Sequence, residues 1–235
     1  MRARGYVELI IVAVIVVVAI ALLLPLMSFV LSPSPHSNRP LPNTVHLRSM
    51  HQAFMTYAHD HRLAGQDGWY PGINPNGTLA EPSVAPRLKA LLDGNYVGPD
   101  YLLNPADRHA KVWRSGTPFT PQNYSYALLE IGNAGGRRAE WSETLNTQAV
   151  VAGDRNTGAD ATTHVQSVWT STPGDWRGSV VRNDNSVAFE TDHFLSRLQY
   201  GEAAEIPNDN LFDPAGDDDA YLIHELPGGK GSLPR

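Results

Sequence analysis

The sequence predicts an α+β protein, in which a membrane-spanning helix precedes a head with helices first and an antiparallel sheet later. Three observations predict this order. The run from Leu9 to Leu31 has no ionisable side chain. Apolar residues recur at helical spacing between Thr44 and Gly94, and short apolar runs separated by turn residues follow from Tyr124 onward.

The N-terminal segment, residues 6–31, is long enough to cross a bilayer as a helix. A hydrocarbon core about 30 Å thick needs about 20 apolar residues. Arg2 and Arg4 precede the run, so we expect a cytoplasmic N-terminus and a head outside the membrane. The run exceeds the apolar region of a cleaved signal peptide, and no small-residue cleavage site follows it. The segment therefore reads as a single-pass anchor, either a simple signal anchor or a helix with an assembly role.

Two residues of this segment favour the assembly role. Glu8 lies at the mouth of the apolar helix, where a carboxylate is costly unless it finds a partner. Pro25 removes a backbone donor and loosens the helix. Lipid tolerates this change when neighbouring helices satisfy the freed carbonyl. Both residues therefore suit a helix that packs in a bundle.

The first eight residues, Met-Arg-Ala-Arg-Gly-Tyr-Val-Glu, together with the apolar run, resemble the prepilin methylation segment of type IV pilins and type II secretion pseudopilins. The resemblance implies that a prepilin peptidase removes residues 1–5 by cutting after Gly5. Tyr6 would then be the methylated first residue. It also implies that Glu8 meets the N-terminal amine of a neighbouring subunit during filament assembly, in the inner membrane.

The register of Glu8 departs from that family. Cleavage after Gly5 makes Glu8 the third mature residue, whereas the family usually has glutamate fifth. Cleavage after Ala3 would restore the fifth place but would leave Arg4 as the first residue. The distance from Glu8 to Pro25 is nevertheless the family's usual distance, so both cleavage positions stay open.

Later stretches, in order, resemble the large G-like pseudopilins of planctomycete-type bacteria. These stretches are Tyr57–His61 with Gly68–Pro71, Leu102–Asp107, Asn123–Tyr126, Val150–Asn156 and Asn183–Phe189. The resemblance implies a pilin-like head over residues 43–235. A segment with four prolines, residues 32–42, separates it from the membrane helix and is expected to be an extended linker. Most pilins lack such an interruption.

Composition limits what the head can be. The chain has 235 residues and no cysteine, so no disulfide supports its core. Its formal charge is −6, and the part beyond residue 31 carries −7, which argues against a nucleic-acid groove. We find no G-x-S-x-G, H-E-x-x-H or P-loop motif. We therefore expect neither an enzyme nor a nucleic-acid partner.

The head's predicted elements follow from local patterns. A helix from Thr44 has one apolar face, and a second runs from Ser83 through Pro86 to Gly94. Strands are predicted near residues 124–130, 147–152, 163–169, 178–183 and 186–191. The clearest hairpin turns at Asn183–Asn185. The first helix's apolar face comprises Leu47, Met50, Phe54, Tyr57 and Ala58.

Two groups of polar residues contain side chains of the types that bind metal ions. The histidines of the first helix do not converge on one point, and we expect a solvated face there; they are His46, His51, His59 and His61. An acidic loop near the C-terminus has the hard oxygen ligands that Ca²⁺ prefers, and major pseudopilins carry calcium in a similar place. Its candidate ligands are Asp209, Asp213, Asp217, Asp218 and Asp219. A solvated, turn-rich loop is the other interpretation.

Asp154 and Arg155 are expected to form a structural ion pair.

Two functional hypotheses follow. The first is a pilin-like subunit whose partners are copies of itself or related pilins, the prepilin peptidase and the inner membrane. The second is a membrane-anchored periplasmic binding or hydrolytic domain that does not polymerise. The proline-rich linker and the displaced Glu8 favour the second hypothesis, and the remaining N-terminal pattern favours the first.

Overall fold

A computed structural model describes the head. The described residues are 41–132, 136–170, 172–196, 198, 208–214 and 219–225. The chain divides into two units, Met1–Arg39 and Pro40–Arg235, and every feature below belongs to the second. Within these ranges no helix is both long and apolar enough to cross a membrane. The predicted processing and assembly residues lie outside them: Gly5, Tyr6, Glu8 and Pro25.

Helix α1, Leu41–His61, begins three residues before the predicted Thr44. Pro42 lies in its first turn, where the missing backbone donor has no intrahelical partner to lose. The predicted linker is therefore wrong at its C-terminal end, because Leu41 and Pro42 are helical. The predicted apolar face is buried, except that Tyr57 is half-buried.

Helix α2, Val84–Asp93, ends where the sequence predicts, at Gly94, whose backbone N–H donates to the Ala90 carbonyl. Its buried side is mainly aliphatic and contains Val84, Leu88, Leu91 and Leu92. Short 3-10 helices follow at Pro99–Leu102 and Pro121–Asn123. A four-residue helix, α3, spans Gly136–Ala139.

The main sheet has five antiparallel strands: β1 (Tyr126–Leu129), β2 (Val150–Asp154), β3 (Gly178–Arg182), β4 (Val187–Glu190) and β7 (Leu222–Ile223). Their order in the sheet is β4-β3-β2-β1-β7. Consecutive strands β1 to β4 are neighbours, and β7 joins the other side of β1. Strands β1 and β2 are buried at every position. Helices first and an antiparallel sheet later make this an α+β fold, as predicted.

The hairpin between β3 and β4 turns at the predicted residues. Asn185 has a φ of +64°, and its N–H donates to the Arg182 carbonyl.

The predicted strand at 163–169 is wrong. The Asp160 carboxylate accepts the backbone N–H groups of Thr162, Thr163 and His164, and these local bonds form a turn that replaces ladder pairing. A two-stranded ribbon, β5 (Phe194–Leu195) and β6 (Asp209–Asn210), completes the described elements.

Candidate functional site

The carboxylate of Asp154, at the end of β2, is fully buried and held by nitrogen donors. Its Oδ1 accepts Nδ2 of Asn104 at 2.7 Å and Nδ2 of Asn43 at 3.1 Å. Its Oδ2 accepts the Ser179 backbone N–H at 2.7 Å, the Trp169 indole at 2.9 Å and Asn43 at 3.0 Å. Burial raises the pKa of Asp154 to about 6, although these hydrogen bonds oppose the rise. We call these five residues the Asp154 cage.

The predicted Asp154–Arg155 ion pair is wrong. The Nη2 atom of Arg155 lies 2.9 Å from Oδ2 of Asp107, and both side chains are buried. Asp107 also accepts the Ser125 hydroxyl at 2.8 Å. Side chains of consecutive extended residues point in opposite directions, so neighbours in the sequence acquire different partners.

The cage joins the start of α1 to the sheet. The Tyr126 hydroxyl, on β1, donates to Oδ1 of Asn43 at 2.8 Å and to the Leu103 carbonyl at 3.1 Å. Asn43 is therefore held by β1 through its oxygen and by β2 through its nitrogen. The cage is sealed, because Asp154 and Asn43 have no exposed surface. The cage is suited to holding α1 on the sheet, since no reactant can approach the buried carboxylate in this conformation.

A second polar junction joins the middle of α1 to the β3–β4 hairpin. The Tyr70 hydroxyl donates to Oδ1 of Asn183 at 2.7 Å, and Nε2 of His51 lies 3.4 Å from the same oxygen. Nδ2 of Asn183 donates to the carbonyls of Glu140 and Ser142, each at 2.8 Å. This junction leaves both ends of the Asn183 amide satisfied inside the protein.

The expectation that the helix histidines form a solvated face is wrong for His51, which is fully buried, and burial lowers its pKa. His59 and His61 are exposed, as predicted. Nδ1 of His46 lies 2.8 Å from the Leu103 carbonyl. The four rings thus have separate environments, as their spacing predicts.

A surface groove of about 180 Å³ lies where the C-terminal half of α1 approaches α2. Its aromatic lining consists of Tyr57, His61 and Trp69. The Tyr57 and His61 rings stack with centroids 4.0 Å apart. Other lining residues are Gly72, Ile73, Asn74, Pro75, Ala80, Glu81, Pro86, Arg87 and Ala90. The groove is aromatic and apolar with a few polar groups, which is the usual character of a binding site.

Two charged side chains border the groove. Hydrogen bonds from Ser83 hold the pKa of Glu81 below its usual range, so this carboxylate is ionised at neutral pH. Arg87 is buried behind the groove, with its guanidinium 4.0 Å from the centre of the Trp141 ring and Nη1 3.0 Å from the Leu129 carbonyl. Burial lowers the pKa of Arg87 to about 9.

The acidic loop is only partly described, because Asp217 and Asp218 lie outside the described residues. Asp209 and Asp219 are buried, and Asp213 is exposed. Oδ1 of Asp209 accepts the backbone N–H of Asn210. No three acidic or histidine side chains gather into a metal-binding group within the described ranges. Calcium binding therefore stays a prediction.

Sequence reasoning missed the residues that complete the cage and the groove. Asn43 and Asn104 are ordinary polar residues in the sequence, and only the fold brings both to Asp154. Trp69 belongs to a stretch that carries the family resemblance, yet nothing local indicates that it lines one groove with Tyr57 and Glu81.

Comparison of the chain with family models, curated proteins and solved structures finds no match.

Proposed function

We propose that this chain is a pilin-like (pseudopilin) structural subunit of a type IV pilus or type II secretion-type filament. The subunit is inserted in the inner membrane with its N-terminus in the cytoplasm. A prepilin peptidase processes it, and its apolar helix, residues 6–31, packs against those of other copies or related pilins. The head faces outwards, and it is not an enzyme.

The observation that carries this proposal is the N-terminal pattern: two arginines, Gly5, Tyr6, a single Glu8 and an uninterrupted apolar run to Leu31. A carboxylate at the mouth of a membrane helix is stable when a cation neutralises it. The methylated amine of a neighbouring subunit supplies that cation in a filament.

The head supports the proposal because the stretches that carry the resemblance meet inside it. Asn104 and Asp107 come from one stretch, Ser125 and Tyr126 from the next, and Asp154 and Arg155 from the third. Of these residues, Asp154 and Tyr126 bond Asn43 and so fasten the first turn of α1 to the sheet, and Asn104 donates to Asp154. Such an attachment suits a subunit that is assembled through a helix on the N-terminal side of its head.

The mass of the N-terminal peptide from the native membrane or filament fraction tests processing directly. We expect a chain that begins at methylated Tyr6, or at methylated Arg4 if cleavage follows Ala3. An intact Met1 would contradict the proposal and leave an ordinary signal anchor.

Incorporation of Glu8→Ala into filaments tests the assembly role. We expect this variant to insert in the membrane but to be lost from sheared filaments, because the amine of the adjacent subunit loses its counter-charge. Val12→Ala, in the same apolar run, is the matched control and should assemble normally. Equal recovery of both variants in the filament fraction would refute the role of Glu8.

The groove favours a second candidate, a membrane-anchored extracytoplasmic binding domain that does not polymerise. Aromatic rings beside an ionised carboxylate are suited to ligand binding. Asp154 does not support a hydrolytic domain, because its carboxylate is fully buried and a substrate cannot reach it. The Glu8→Ala experiment separates the candidates, because a non-polymerising domain would be indifferent to the change.

A further inference from the structure

The groove between α1 and α2 includes Trp69 in its aromatic lining. The indole N–H of Trp69, a half-buried residue, has no hydrogen-bond partner among the described residues. The Tyr57 ring lies in the same lining, and Tyr96 packs edge-on against it with centroids 5.6 Å apart. An aromatic lining whose indole has an unused donor is complementary to a chain segment that has apolar rings and free carbonyls.

Polyproline II segments have these two properties. Their backbone makes no internal hydrogen bonds, so every carbonyl is free to accept, and prolyl rings pack on aromatic side chains. Proline-rich peptides bind aromatic-lined grooves for this reason, with little loss of conformational entropy. The groove's volume of about 180 Å³ suits a narrow extended segment better than a drug-sized ligand, which needs roughly 300 Å³ or more.

The sequence immediately before α1 has the composition that favours this conformation. Residues 32–40 read Ser-Pro-Ser-Pro-His-Ser-Asn-Arg-Pro, with three prolines and no acidic residue. Arg39 gives the segment a positive charge, whereas residues 41–235 carry a formal charge of −8. Glu81 places one of these negative charges in the groove lining. Arg87, the other charged lining residue, is buried, with its guanidinium on the Trp141 ring and the Leu129 carbonyl, so Glu81 is the charge that a bound segment would meet. The segment therefore matches the groove in backbone preference and in charge.

We propose that the groove lined by Tyr57, Trp69 and Glu81 binds the proline-rich segment, residues 32–40, of a second copy of this chain. The inference deepens the proposed function, on which it rests for the side-by-side arrangement of copies. The segment would then couple neighbouring subunits outside the membrane, in addition to the packing of their apolar helices.

Fluorescence anisotropy of a labelled peptide with the sequence of residues 32–40 tests the inference. The receptor is the full chain in detergent, with Pro33, Pro35 and Pro40 replaced by alanine so that its own segment does not compete. We expect saturable binding of this peptide. A control peptide with the same three prolines replaced by alanine keeps the charge and should bind at least about tenfold more weakly, because it loses both ring contacts and the extended preference.

Variants of the groove locate the binding site. Trp69→Phe keeps an aromatic ring but removes the donor, and should weaken binding about 3- to 10-fold, the range for one hydrogen bond. Trp113→Phe is the matched control, because that indole donates to the Thr117 carbonyl outside the groove, and it should bind like the parent chain. Equal affinity of the parent, Trp69→Phe and Trp113→Phe receptors would overturn the inference.

A charge variant provides an independent check. Glu81→Gln should weaken binding about 2- to 5-fold, as expected for an exposed ion pair, and should lower its salt dependence. A peptide with Arg39→Gln should show the same loss, and Glu81→Gln should then add no further effect. Independent, additive losses would show that Arg39 does not face this carboxylate.

The peptide assay and the filament experiments distinguish a failure of the groove's assignment from a failure of the pilin proposal. Absence of binding up to about 1 mM, the range of weak contacts, would overturn the groove's assignment and leave the pilin proposal intact. If the peptide binds but the native chain still begins at Met1, the assignment of the groove is upheld and the pilin proposal is contradicted. Peptide binding by a chain that does form filaments, with fewer or shorter filaments for Trp69→Phe, is the expected result.

Discussion

The pH dependence of stability should reveal the Asp154 cage. The pKa of Asp154 rises from 3.8 to about 6 on folding. Between these values the folded state binds a proton that the unfolded state has released, so stability falls as pH rises through this window. Each pKa unit corresponds to about 1.4 kcal/mol. A shift of about two units therefore means that ionisation of this carboxylate lowers the free energy of unfolding by about 3 kcal/mol once the pH is above 6.

Asp154→Asn isolates this contribution because it removes the titration and keeps the shape. The buried His51, whose pKa is lowered by burial, titrates in the opposite sense and gains stability as pH rises. Its contribution is common to both proteins and cancels in their difference. We expect the parent chain to lose about 2 kcal/mol relative to Asp154→Asn between pH 4 and pH 6.5, with little further change up to pH 8.

Urea unfolding of the full chain in detergent, followed by tryptophan fluorescence at several pH values, measures this difference. Parallel curves for the parent chain and Asp154→Asn would refute the reasoning, since they would mean that the cage does not raise the carboxyl's affinity for protons.

Three further predictions concern other parts of the head. Arg155→Met leaves the Asp107 carboxylate buried without its cation and should lower the free energy of unfolding by about 3–5 kcal/mol in urea titrations, whereas a loss below 1 kcal/mol would contradict a buried pair. Gly68→Ala places a methyl group on the Ala58 carbonyl and should cost about 1–3 kcal/mol. Gly98→Ala, whose nearest neighbour is 3.7 Å away, should cost less than 1 kcal/mol in the same titration, and equal costs would refute the steric reading. If calcium binds the acidic loop, its removal by a chelator should lower the thermal midpoint, and an unchanged midpoint would exclude the site, because a ligand of the folded state must stabilise it.

Local patterns predicted the regular elements of the head well. The helical spacing of Leu47, Met50 and Phe54 predicted the buried face of α1, because burial follows directly from periodicity. The Asn183–Asn185 turn predicted the hairpin, because asparagine tolerates the positive φ found at Asn185. Both features depend on residues close together in the sequence.

Features that depend on distant residues were not predicted. Asn43 reaches Asp154 across 111 positions, and Tyr70 reaches Asn183 across 113, so no local pattern could indicate either contact. The strand predicted at residues 163–169 does not form, because the Asp160 carboxylate accepts the backbone N–H groups of Thr163 and His164 and the Asn156 side chain accepts that of Gln166. Local side-chain acceptors therefore replace ladder pairing in this stretch.

The attachment of Asn43 has a mechanical consequence. A force that pulls the chain at residue 40 acts first on the opening turn of α1, which in most helices frays because its donors lack partners. Here the Asn43 side chain is bonded to Asp154 on β2 and to Tyr126 on β1, two central strands of the sheet. Tension is therefore shared with the sheet from the third residue of the helix, before α1 can unwind.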